Sequence, residues 1–340
     1  MKKYIYILFI AVLCSMASCT VPFDPDFNEN PMIFVEGFPG ADAEYVKIKV
    51  MPAYSRSNTP VMIPFKPVIT FKVNGTEIPV KCIDADGGYY KALHASKPGD
   101  KMSISVESEG FQSVYSETSI PEAFPKRKID YRKVQSGVDK YDDDVLFVTI
   151  SDVNPKYSYG LQICNEVHEY YASKTVERIF RYCGYLYPRD TQLDEMVPIT
   201  LEATCIRLYG EDLWSWNGNT LADGENTFTF MPAGYGYGEM DSYDAFFVQE
   251  GTTTRYDEHG NIIEEYQYLD RNKLLLYTMS DEFYKYSIAQ EFQGDNDGIL
   301  SIIAPTNFCY SNIDNGYGAF AGIYIVETDW ITKEFIENNR

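Results

Sequence analysis

The chain has 340 residues, with 50 acidic and 29 basic side chains and a formal net charge of −21. So acidic a surface repels phosphate backbones and anionic headgroups, which excludes nucleic acid as a partner. The length points to two domains, and 29 Tyr and 20 Phe among many Val, Ile and Thr point to β structure.

Lys2 and Lys3 open the chain, and an apolar run, Tyr4–Leu13, follows. The run is much shorter than the ~20 apolar residues of a membrane span and reads as a secretory signal. Met16-Ala17-Ser18-Cys19 then resembles the lipobox of bacterial lipoproteins: a large apolar residue, two small ones and a cysteine. Small residues let the extended chain enter a peptidase, and the cysteine sulfur carries diacylglycerol. Residues 1–18 are therefore expected to be removed and Cys19 lipidated. Several acyl chains, each worth about 0.8 kcal/mol per buried CH₂, make a durable membrane anchor. The competing reading is an ordinary secreted protein with a chance cysteine. Residues 19–31 form a tether rich in Pro, Asn and acids. Thr20 is permissive for the outer membrane, and Asp24, Asp26 and Glu29 resemble an acidic signal for export to the cell surface.

From Met32 to Pro121 short alternating strands are separated by turn signals. They are expected at 33–36, 45–51, 68–73, 76–82, 88–93, 101–107 and 112–118. In Val46-Lys47-Ile48-Lys49-Val50 the apolar side chains share one face. Asn74-Gly75 is a two-residue hairpin signal. About seven strands in about 90 residues predict an immunoglobulin-like β-sandwich over 32–121. Two prolines and the basic cluster Lys126-Arg127-Lys128 mark a linker at 122–128.

Residues 129–340 predict a larger β-rich domain, a curved sheet or partly closed barrel with one packed helix. Strands are expected at 145–151 and 157–164, and 175–181 fits either a helical stripe or a hairpin. A meander spans 255–279 around a turn at His259-Gly260-Asn261. Ser280-Asp281-Glu282 reads as a helix start, with Tyr284, Ile288 and Phe292 on one face and an end at 295–298. Last strands are expected near 298–303 and 319–327.

No catalytic or metal motif is complete. His168-Glu169 begins like a zinc-protease helix, but Ala172 stands where the second histidine belongs. Asp295-Asn296-Asp297-Gly298 has a calcium-loop look, but Gln293 and Ala304 occupy ligand positions. Asp142-Asp143-Asp144 reads as a solvated loop. Cys82, Cys164, Cys183, Cys205 and Cys309 have wide, irregular spacing with no C-x-x-C, so no metal ribbon or redox motif is expected. They read as buried small hydrophobes, with one disulfide among Cys164, Cys183 and Cys205 as the alternative. No cofactor is implied. The segments Trp214–Asn219 and Tyr235–Gly238 read as aromatic–glycine loops. Trp214, Trp216, Tyr235 and Tyr237 are the candidate ligand or partner contacts, because rigid aromatics give binding area at little entropic cost. The bland alternative places these rings in a core.

Cys19 and its tether, Phe34-Val35-Glu36-Gly37, Asp86-Gly87-Gly88-Tyr89, a late helix and Ser311–Phe320 form an ordered set. Together they resemble domain-of-unknown-function lipoproteins of Bacteroidetes-type bacteria, found beside TonB-dependent receptors. The resemblance implies an outer-membrane lipoprotein with a receptor partner and brings no catalytic residue. In Asn315-Gly316-Tyr317-Gly318 the glycines predict a tight turn that closes the last strand onto the sheet. Three functions remain open: a non-catalytic accessory of a TonB-dependent nutrient importer, capturing a small nutrient or peptide or gating its receptor; a structural or adhesive surface protein; and a surface hydrolase. The first Arg, Arg56, lies inside the predicted sandwich, which disfavours fimbrial maturation by cleavage after an early Arg.

Overall fold

The structure is a computed structural model that describes residues 31–41, 43–53, 63–135, 142–182, 204–208, 211–221, 223–230, 246–294 and 310–340. The signal, Cys19 and most of the tether lie outside these residues, as do Tyr235, Tyr237, Cys183, Cys309 and the expected strand at 298–303.

The first eight strands lie where alternation places them, except that the single strand expected at 76–82 divides into two strands in different sheets. They are β1 (Met32–Gly37), β2 (Val46–Ala53), β3 (Val68–Val73), β4 (Thr76–Ile78), β5 (Val80–Asp84), β6 (Tyr89–Ala92), β7 (Lys101–Glu107) and β8 (Val114–Ser119). One sheet contains β1-β2-β6-β5 and the other β4-β3-β7-β8. Ile33, Val35, Ile48, Val50, Phe71, Ile104 and Val106 fill the space between them. Lys47 points the other way and lies 4.3 Å over the Tyr89 ring. Asn74 and Gly75 make the expected hairpin turn, both at positive φ.

The second body is also built of stacked sheets. β9 (Lys126–Gln135), β10 (Asp142–Ser151) and β15 (Asn226–Phe230) form a three-stranded sheet. Lys126-Arg127-Lys128, expected in a linker, therefore begin a strand, paired through Ser151, Ile150 and Thr149. Asp142-Asp143-Asp144, expected in a loop, begin β10. The facing sheet has seven strands: β11 (Ser158–Tyr170), β12 (Thr175–Tyr182), β13 (Thr204–Leu208), β14 (Glu211–Asn217), β16 (Gln249–Tyr256), β17 (Ile262–Met279) and β19 (Ile323–Glu327). Among the described residues no sheet closes into a barrel. The 175–181 segment takes its hairpin alternative, with β12 paired to β11.

Leu274-Leu275-Leu276-Tyr277 shows why the large sheet needs two covers. A continuous apolar run belongs to a strand buried on both faces. Leu274 and Leu276 face the three-stranded sheet with Ile129, Leu146, Val148 and Phe230. Leu275 and Tyr277 face α1 (Asp281–Gly294) with Phe283 and Tyr284. The helix starts as predicted, the Ser280 hydroxyl accepting from the Phe283 N–H at 3.3 Å. A short second helix, α2 (Lys333–Asn339), brings Phe335 and Ile336 to the first of these cores; the sequence reading missed it.

The expected strand at 319–327 is two strands in two sheets. β18 (Tyr317–Phe320) runs parallel to β1, placing Phe320 and the preceding Ile313 in the first sandwich. β19 pairs with β17 in the second body. The chain from 312 to 327 thus serves both bodies, so 129–340 does not pack as a unit apart from 32–121. Asn312 fixes the first crossing: its side chain donates to the Phe320 carbonyl at 2.8 Å and accepts from the Phe320 N–H at 2.9 Å. Ala321 N–H then donates to the Gly37 carbonyl at 3.0 Å, and Gly322 N–H to the Thr118 hydroxyl at 2.9 Å. Phe38 meets the Phe283 ring edge-on at 5.1 Å, and the Tyr286 hydroxyl donates to Glu36 at 3.0 Å. Burial, and then the Glu36 charge, keep that phenol protonated.

Gly318 makes the parallel pairing of β18 sterically feasible. Its φ is +107°, and a Cβ would overlap the Val35 carbonyl oxygen. Gly75 has φ +82° but open space around it. Gly75→Ala is expected to carry only the backbone strain, about 1 kcal/mol. Gly318→Ala adds the overlap and is expected to cost roughly 3 kcal/mol or more. Urea unfolding of the two variants checks this, and equal losses would show that β1 yields freely.

Candidate functional site

The aromatic pair expected on a loop sits in a strand. In β14, Trp214 and Trp216 are two residues apart and therefore share a face. That face is the second core: Trp216 is 1% exposed, with its ring centroid 3.9 Å from that of Phe228, and Trp214 packs at the margin. Ser215, between them, is buried on the opposite face. Trp216 is therefore a core side chain and not a surface contact. Trp216→Ala is expected to cost ~3–5 kcal/mol of stability, read as a large fall in melting temperature.

Among the described residues, two polar groupings elsewhere combine charge with shape. The first is a groove of about 390 Å³ lined by Lys128, Asp130, Arg132, Phe147, Thr149, Thr227 and Arg340. It follows from alternation along β9: Ile129 turns into the core, so Lys128, Asp130 and Arg132 emerge together on the other face. Arg132 Nε and Arg340 Nε donate to the two oxygens of Asp130 at 2.9 and 2.7 Å. Lys128 reaches Glu225 at 2.6 Å. Phe147 forms an apolar wall under the Arg132 guanidinium, 4.8 Å away, and the Thr149 and Thr227 hydroxyls meet at 2.8 Å. Three cations against the two carboxylates of Asp130 and Glu225, beside two hydroxyls, leave an excess of positive charge that suits a carboxylate or phosphate on a small molecule.

Burial would raise the Asp130 carboxyl, but hydrogen bonds from Arg132, the Tyr131 N–H and Arg340 outweigh it and hold it below the usual range. A depressed folded value stabilises the fold above the unfolded pKa of about 3.9. That contribution is lost as pH falls through the lower folded value. Asp130→Asn is therefore expected to give a shallower acid limb in urea unfolding, and to cost at most about 1 kcal/mol at neutral pH.

The second place is the part of the seven-stranded sheet made by β12-β11-β17-β16 alone. Glu166 and His168 lie on one face of β11. Glu177 of β12 is the register partner of His168, and Arg271 of β17 is the partner of Glu166. His168 Nε2 lies 2.6 Å from Glu166 Oε1, and Arg271 Nε donates to the same oxygen at 2.9 Å. The Arg271 guanidinium rests 4.0 Å over the Trp330 ring. Burial would raise the Glu166 carboxyl, but the His168 and Arg271 hydrogen bonds hold it down. On the opposite face Asn165 donates to Asp270 at 2.5 Å and to Asn272 at 3.2 Å, and Arg178 pairs with Glu169.

Of the cysteines, Cys164 is buried and Cys82 exposed, both as free thiols. Burial pushes the Cys164 thiol up, as for a packed hydrophobe. Sequence reasoning missed both polar places. The hairpin alternative for 175–181 did contain the signal for Glu177, because the turn between Tyr170 and Thr175 sets the register. Arg271 and Arg340 reach their partners from more than 100 residues away, and nothing local announces them.

A family model described as a domain of unknown function (DUF4249) matches residues 20–328. Neither a curated protein nor a solved structure matches the chain.

Proposed function

The chain belongs to the DUF4249 family, and on that premise we propose that it is an outer-membrane lipoprotein acting as a non-catalytic accessory of a TonB-dependent nutrient importer. The observation that carries this reading is Met16-Ala17-Ser18-Cys19 behind a basic, apolar leader and ahead of a β-rich body. No helix among the described residues is long and apolar enough to cross a membrane, so lipid on Cys19 is the proposed attachment. Residues 20–31 would give the body a reach of about 40 Å from the bilayer. The Arg132–Arg340 groove is the place for capture of a small anionic nutrient. The exposed Tyr256, Ile262 and Ile263 at the β16–β17 tip offer an apolar contact for the receptor.

The adhesive alternative is less well supported. Strand donation needs an open sheet edge; the edge beside β1 is filled by β18 of the same chain, so among the described strands donation would have to use another edge, such as β5, β4 or β8, in the first body. Co-purification of the tagged protein from outer membranes tests the importer reading. A large β-barrel receptor should accompany it, and its repeated absence would remove the importer from the account.

Cys19→Ala is expected to abolish labelling by a fatty-acid probe and to move the protein out of the membrane fraction. Its melting temperature should stay unchanged, because the described cores are built from residues 33–336. Persistent labelling would contradict lipidation at Cys19.

A further inference from the structure

We propose that Glu166, His168 and Glu177 form a binding site for a divalent transition-metal ion, with zinc as the best fit. One ligand atom from each of the three lies within 4.8 Å of the other two. Tetrahedral zinc, with bonds of about 2.0–2.1 Å, holds its ligand atoms roughly 3.4 Å apart. Small side-chain rotations therefore close the site without moving backbone. One imidazole and two carboxylates select zinc and its neighbours over magnesium and calcium, which take oxygen alone.

The backbone pre-positions the ligands. His168 and Glu177 are direct register partners across β11 and β12, and Glu166 is two residues from His168 on the same face. All three therefore project from adjacent strands in one direction. His168 and Glu166 are at least four-fifths buried, while Glu177 is exposed. An ion can thus enter from the Glu177 side and settle against the other two.

Arg271 is the group that must be reconciled with a cation. It donates to Glu166 Oε1 and is held by the Trp330 ring. Two carboxylates and one guanidinium leave the site net negative before an ion arrives. With the ion bound, His168 serves as a neutral imidazole, with its proton on Nδ1 and its Nε2 lone pair turned to the metal. Glu166 binds through its other oxygen, and Arg271 remains behind it as the outer partner that fixes the carboxylate. Three protein ligands leave a fourth position for water or for a donor atom of a bound molecule.

The test is calorimetric titration of the purified full-length protein with ZnCl₂, and in parallel with MgCl₂. One zinc per chain is expected to bind with an affinity on the order of micromolar, with no response to magnesium. His168→Ala and Glu177→Gln should each weaken binding at least about tenfold. His259→Ala, which removes the exposed His259–Glu258 pair at the hairpin tip, should leave it unchanged. Cobalt substitution should show the visible absorption of a tetrahedral ion, and lose it in Glu177→Gln. Glu177 is exposed, so that variant keeps the test intact if His168→Ala fails to fold. Zinc affinity weaker than millimolar, or affinity unmoved by the His168 and Glu177 variants, overturns the site.

Discussion

The parallel approach of β18 to β1, through a glycine with no room for a Cβ, is the constraint on which the rest of the molecule depends. It draws residues near 318 into a sandwich whose other strands end by 119. A few residues later the same segment enters the second body as β19. The joints between the bodies are mostly main-chain bonds, through Gly37, Pro39 and Thr118, sealed by the Phe38–Phe283 contact. Backbone bonds of this kind fix geometry whatever the side chains, so the bodies share one arrangement. Within Ser311–Phe320, Asn312 and Gly318 hold the crossing.

β11 and β17 change character along their length. Where the three-stranded sheet and α1 cover them, their side chains are buried and mostly apolar, and the buried Gln162 accepts from the Tyr277 hydroxyl at 2.7 Å. Beyond those covers the same strands carry Glu166, His168, Asn165, Asp270 and Arg271. A half-covered sheet holds charges only if they are paired, because an isolated charge out of water is costly. Glu166 accordingly takes two donors and Asp270 takes Asn165. Such pairing stabilises the extension, and it also concentrates groups with chemical capacity on rigid strands.

The charge distribution divides long-range from local effects. A chain of net charge −21 repels anions at a distance. The groove over β9 and β10 works at short range, where screening is weak and guanidinium geometry dominates. An anchored protein with this combination would discriminate between ligands by fit rather than gather them by field, which agrees with the proposed accessory role.

Much of the fold was legible in the sequence because alternation is local. The strands at 33–36, 68–73 and 101–107, the Asn74-Gly75 turn and the Ser280 cap all rest on neighbours within a few residues. The failures share a different cause. Trp214-Ser215-Trp216 reads as a loop because its glycine and asparagine neighbours outweigh a two-residue period. Lys126-Arg127-Lys128 reads as a linker because nothing local shows that β10 lies beside it. The partner of β18, the convergence of Arg132 and Arg340 on Asp130, and the docking of Arg271 on Glu166 were beyond reach. The sequence by itself determined which residues are strands and which faces are apolar, since backbone geometry sets those over a few residues. The tertiary structure alone decided which strands adjoin and which charges meet, since both depend on contacts between segments far apart in the chain.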